Sequence, residues 1–132
     1  MLKSTREEAM PPVATLSFHS RNPADDHGSS CCPHDVCGPA VTASPNVLVG
    51  GLGVLRVGDT GVHAGPHGKP DPVVTTGHGS ELCCGGNTWR CVRGSATVFV
   101  NGRPVVRLGD ETRHCGGTGK LVEGNRTVII GG

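Results

Sequence analysis

Two histidines hold matching places in this 132-residue chain, His63 and His114, each four residues after an aspartate, Asp59 and Asp110. Equivalent positions of a repeating fold come to equivalent corners, so the two imidazoles are expected to converge. Cys115 follows His114 and lies seven residues before Val122, while His34 lies seven residues before Val41, a valine that also opens a repeated stretch. Three imidazoles and one thiolate make a closed tetrahedral zinc site with no coordination position left for a substrate. The expected ligands of one structural zinc ion are therefore His34, His63, His114 and Cys115, with His27 as the alternative to His34.

Other chemistry is less well supported by these residues. Gly58-Asp59 and Gly109-Asp110 are ordinary turn dipeptides, in which Asp bonds its own backbone, so a general base is not implied. Cys115 beside His114 cannot act as nucleophile and base, because neighbours on a strand point apart and no third group orients them. Neither Gly-x-Ser-x-Gly, His-Glu-x-x-His nor a P-loop occurs. The clusters Cys31-Cys32 with Cys37, and Cys83-Cys84 with Cys91, are expected to be small buried side chains rather than metal or disulfide elements. His67 and His78 fall in a Gly/Pro/His-rich excursion that is expected to be a surface loop. Trp89 is expected to plug the core.

The elements that must position these residues follow from an internal repeat. Val41–His63 and Val92–His114 align 51 residues apart without a gap, and 10 of 23 positions are identical. A truncated third copy, Val122–Gly132, follows the second by 30 residues. Within a copy, two β-branched runs flank a turn pair, as in Thr97–Val100, Asn101-Gly102 and Val105–Leu108. That is a hairpin pattern, because the turn needs positive φ at both central residues. No window has a sustained apolar period of 3.6, so helices should be short or absent. With 22 Gly, 10 Pro, no Tyr, two Phe and one Trp, the core must be thin and the structure flat or tapering, and a metal helps to hold such a domain. The expected organisation is a flexible lead over residues 1–20 and a repeat domain over 21–132, with copies at about 34–63, 85–114 and 115–132.

A net charge of +1 with scattered Lys and Arg gives no long-range attraction for nucleic acid. No run approaches the apolar length of a membrane helix, and the first twelve residues have no apolar segment behind their basic ones, so the sequence suggests cytoplasmic synthesis without a signal peptide.

The unit Ser95-Ala-Thr-Val-Phe-Val-Asn-Gly-Arg-Pro-Val-Val-Arg-Leu-Gly-Asp110, with its flanks to Gly132, resembles the PAAR-repeat proteins of contractile injection systems, over about Cys32–Gly132. Pro104-Val105-Val106-Arg107 and Gly53-Val54-Leu55-Arg56 stand where that family has Pro-Ala-Ala-Arg. The resemblance implies an all-β conical structure of short hairpins with pseudo-threefold symmetry and a metal near its vertex. It further implies a non-catalytic tip, one chain per trimeric VgrG-like spike and not a homo-oligomer, which touches the target membrane transiently and can accompany effector proteins. Such a tip is cytoplasmic before firing and exported with the apparatus. About 30 residues precede the repeats, too few for a fused catalytic domain. Two competing functions predict other features: a small secreted zinc-dependent effector would keep an open coordination position, and a β-solenoid scaffold would bind no metal.

Overall fold

A computed structural model describes residues 11–25, 34–63, 88–114 and 116–132, with His34 described by its backbone alone. The described chain is all-β: β1 (Pro12–Val13), β2 (His19–Asp25), β3 (His34–Pro39), β4 (Leu48–Val49), β5 (Leu52–Gly53), β6 (Thr60–Val62), β7 (Thr88–Cys91), β8 (Phe99–Val100), β9 (Arg103–Pro104), β10 (Glu111–His114), β11 (Gly117–Leu121) and β12 (Asn125–Ile129). The excursion that contains His67 and His78 lies outside the described residues.

The two expected hairpins are present as β4–β5 and β8–β9. Their turns hold positive φ at both central residues, Gly50 and Gly51 at 63° and 81°, Asn101 and Gly102 at 54° and 78°. This is the turn whose twist matches the flanking strands. A third hairpin is assembled from the two ends of the chain, where β1 pairs antiparallel with β12 and Pro12 faces Ile129.

Residues 11–20, expected to belong to a flexible lead, are instead the second half of the third copy. The backbone hydrogen bonds establish the equivalence. Ala14 N–H donates to Val106 O, Val106 N–H to Leu55 O and Leu55 N–H to Ala14 O, each at 3.0 Å, a closed ring with one member from each copy. The next donors repeat the rule: Leu16 to Gly53, Val57 to Pro104 and Leu108 to Pro12. The following turns do so again, with Ser17, Gly58 and Gly109 at φ of 76°, 99° and 87°. A short segment with no strong pattern is thus fixed because its backbone groups complete a ring that two copies leave open.

The core repeats with the same threefold correspondence. Val13, Val54 and Val105 form one buried layer. Ala14, Leu55 and Val106, with Ala40, Cys91, Leu121 and Trp89, form the next. Two copies carry an internal clamp as well. Asp59 Oδ2 accepts from the Arg56 backbone N–H at 2.8 Å and from Arg56 Nε at 2.9 Å, and Asp110 repeats both contacts with Arg107. Burial alone would raise the Asp59 pKa, but hydrogen bonds from Arg56 and Thr42 hold it below the ordinary carboxylate value. Each arginine also reaches into the next copy, Arg56 Nη1 to Asn101 Oδ1 and Arg107 Nη1 to Gly131 O. In the N-terminal copy Thr15 and Phe18 occupy the corresponding positions and make no such clamp.

Beyond the clamps the copies merge into one six-stranded antiparallel sheet, in the order β3-β2-β11-β10-β7-β6. The sheet nearly closes: an antiparallel bridge joins Ala40 to Gly61 across its two edges, and Trp89 Nε1 donates to both Gly38 O and Val62 O at 3.2 Å. Trp89 therefore plugs the core, as expected. Only one side chain of this size fits the axis, and its equivalents in the other copies are Gly38 and Gly119. A Cβ at Gly61 would lie 2.2 Å from the indole. Gly61→Ala is accordingly expected to destabilise the fold by about 3 kcal/mol, the upper end of ordinary overpacking, and by less in a Trp89→Leu background. Urea unfolding of the four chains of that cycle checks it; equal costs in both backgrounds would show that the obstacle is Pro39 O, 2.6 Å from the same Cβ, and not the indole.

Candidate metal centre

Along each copy the chain runs from hairpin to ring to sheet strand, and the histidines stand at the far ends of those strands. His63 follows β6 and His114 ends β10, both facing inward and buried. The alternation of β10, with Thr112 and His114 buried and Arg113 exposed, is the period of two that a half-buried strand dictates. The rings stack, with centroids 5.1 Å apart and planes inclined by 28°. His114 also stacks on Trp89, at 6.1 Å and 24°.

The third donor is Asp25, a residue the sequence reading did not select. The threefold correspondence puts Asn22 where His63 and His114 stand. Asn22 is buried, and its Oδ1 accepts from the backbone N–H of Ala24 at 3.1 Å. At this point the register of β2 with β3 shifts: Asn22 faces Val36, but Asp25 faces His34. A bulge inserts a residue and re-aims the side chains beyond it. It brings the Asp25 carboxylate to 3.7 Å from His63 Nε2 and 3.9 Å from His114 Nδ1.

One donor atom from each of Asp25, His63 and His114 lies within 4.8 Å of the others, and all three residues are buried. Donors sharing a tetrahedral zinc ion at about 2.0–2.1 Å sit about 3.4 Å apart, so the two Asp25 pairs, at 3.7 and 3.9 Å, need contract by about half an ångström or less, and the His63–His114 pair, within 4.8 Å, by no more than about 1.4 Å. Two imidazoles and a carboxylate belong to zinc's usual ligand set. Burial first, and the neighbouring His63 second, push the His114 pKa down to about 4 against the opposing pull of Asp25. A neutral imidazole has the lone pair that coordination needs. The residues therefore fit a metal ion, and Asp25, His63 and His114 would hold it.

Of the five ligands expected from sequence, the structure brings together His63 and His114. His27 and Cys115 lie outside the described residues, and His34 is placed only by its backbone, opposite Asp25. Cys91 is buried, as expected, whereas Cys37, expected to be buried, is exposed. In β3 the inward positions are Val36 and Gly38, so alternation turns Cys37 outward with Asp35. A signal for Asp25 did exist: once Pro12-Val13 is aligned with Pro104-Val105, Asn22 falls on His114 and two aspartates follow at 25 and 26.

At the opposite end, the three hairpins present matching apolar residues. Leu48, Phe99 and Ile129 are equivalent by the threefold rule, and each is large and exposed, at 56%, 55% and 44%. Their strand partners are likewise equivalent: Gly53, Pro104 and Pro12.

A family model described as PAAR motif matches residues 32–118, well over half of the chain. A search of curated proteins returned no match.

Proposed function

Because the chain belongs to the PAAR motif family, we propose that it is the non-catalytic tip of a contractile injection system, one chain capping a trimeric VgrG-like spike. The observation that carries this reading is the exposed triplet Leu48, Phe99 and Ile129 on a single chain with internal threefold order. A monomer can meet three identical chain ends with equal contacts only if it presents the same surface three times. Matching apolar patches on hairpin edges give such a surface, and docking covers strand edges that would otherwise be open to aggregation.

The opposite end is the vertex, where a structural zinc ion held by Asp25, His63 and His114 would rigidify a region too narrow for a thick apolar core. The burial of all three donors favours a structural ion over a secreted zinc-dependent effector, whose ion must be reached by water and substrate. Penetration of the target envelope is mechanical, and the protein is cytoplasmic until the apparatus carries it out together with effector proteins.

Analytical ultracentrifugation with a VgrG-like spike trimer tests the reading. The wild type should bind at one chain per trimer, and Phe99→Glu should weaken binding by a hundredfold or more, since burying an unpaired carboxylate costs several kcal/mol. Leu48→Glu and Ile129→Glu should act alike, as their equivalence requires. Three chains per trimer, or binding indifferent to all three changes, would refute the cap.

A further inference from the structure

We propose that Ser20 and Thr112 form a hydroxyl relay that selects which nitrogen of His114 faces the ion. The proposal rests on the metal reading of the triad and adds two positioning residues to it. His114 Nε2 lies 2.8 Å from Ser20 Oγ, and Ser20 Oγ lies 2.6 Å from Thr112 Oγ1. All three side chains are fully buried, so water does not compete for these bonds. The other ring nitrogen, Nδ1, is the one directed at Asp25, at 3.9 Å.

A neutral imidazole carries one N–H, and a ligating nitrogen cannot be the one that carries it. With the proton on Nε2, that N–H donates to Ser20 Oγ, Ser20 O–H donates to Thr112 Oγ1, and the Nδ1 lone pair is left for the ion. The stacks on Trp89 and His63 fix the plane of the ring but not its flip. A half-turn about the Cβ–Cγ bond keeps both stacks and places carbon against Ser20. The hydroxyl distinguishes the two states, because the flip loses a buried hydrogen bond.

The threefold order explains why this device serves one histidine. Ser20, Gly61 and Thr112 are equivalent positions. Two carry hydroxyls that meet each other, and the third is a glycine whose missing side chain leaves space for Trp89. His63 presents Nε2 to Asp25, at 3.7 Å, the opposite nitrogen from its counterpart. Gly119 completes the seat of His114, since a Cβ there would lie 2.6 Å from Nε2.

The test is the tautomer of His114 in metal-free, 15N-histidine-labelled protein at neutral pH, read from two-bond nitrogen–proton correlations, together with Zn2+ affinity from competition with a chelator. The wild type should show the Nε2–H form. Ser20→Ala should mix the tautomers and weaken Zn2+ binding about tenfold to a hundredfold, the usual effect of losing an outer partner. Thr112→Val, which keeps the shape and removes Ser20's acceptor, should act in the same direction, and Thr112→Ser should restore the wild-type behaviour. A wild type that binds Zn2+ but holds His114 as Nδ1–H before binding overturns the relay alone. So does a folded Ser20→Ala protein with unchanged tautomer and affinity. An Nε2–H wild type that takes up no Zn2+ overturns the metal reading itself.

Discussion

A chain lacking residues 1–18 is expected not to fold, while one lacking residues 1–10 keeps every contact described for the sheet and the hairpins. The difference between them is the segment Pro11–Phe18, which supplies Val13, Ala14 and Thr15 to the interior. Removing it opens the ring: Leu55 N–H loses its acceptor on Ala14, and Val106 O loses its donor. Leu108 N–H loses Pro12 O, and Ile130 N–H loses Pro11 O. Buried groups left unpaired cost about 1–3 kcal/mol each, and the lost valine burial adds about 1.5–3 kcal/mol. Together these approach or exceed the whole stability of a typical domain, about 5–15 kcal/mol. Far-UV circular dichroism and urea unfolding of the two truncated chains decide it. If the shorter chain unfolds cooperatively at the same urea midpoint, the N-terminal segment is not the missing part of the third copy.

The same segment marks where the sequence stops being legible. Two copies could be aligned because both keep Arg-x-Gly-Asp and end in histidine, residues that their roles fix: Arg56 with Asp59, Arg107 with Asp110. The third copy has Thr15 for arginine, Ser17 for glycine and Phe18 for aspartate, and it is split between the chain ends. A gapless repeat search cannot join Val122–Gly132 to a piece that precedes it by more than a hundred residues. Its identity lies in backbone hydrogen bonds, which constrain side chains weakly. Ser17 is the instructive residue, since a positive φ of 76° without glycine conceals the very turn that Gly58 and Gly109 advertise.

The candidate site was half legible for a related reason. Symmetry located His63 and His114, because both copies place them at the ends of inward-facing strands. It could not locate Asp25, since the third copy puts Asn22 at the symmetric position and reaches the site through a bulge three residues later. A bulge is a departure from the repeat, so no argument built on the repeat anticipates it. Departures of this kind are common next to functional sites, and here one allows a carboxylate to take a place that symmetry reserves for a third imidazole.

Replacing His63 and His114 together by alanine should abolish metal uptake and lower the melting temperature by roughly 12–20 °C. An ion present at about a thousand times its dissociation constant stabilises the folded chain by about 4 kcal/mol, and a domain of this size shifts by roughly 3–5 °C for each kcal/mol. Alanine at two buried sites also leaves cavities, so the melting temperature alone does not isolate the ion. A chelator does: it should lower the melting temperature of the wild type by a similar amount and leave the double variant unmoved. Asp25→Asn keeps the shape and removes the charge, and should weaken Zn2+ binding strongly if the carboxylate is a ligand. Trp89, the only tryptophan, stacks on His114 at 6.1 Å, so a paramagnetic Co2+ ion bound at the triad should quench its fluorescence. A chelator-indifferent wild type whose Trp89 emission ignores Co2+ would mean that Asp25, His63 and His114 hold the vertex together by their own contacts. Quenching lost on Asp25→Asn would place the ion where the bulge directs the carboxylate.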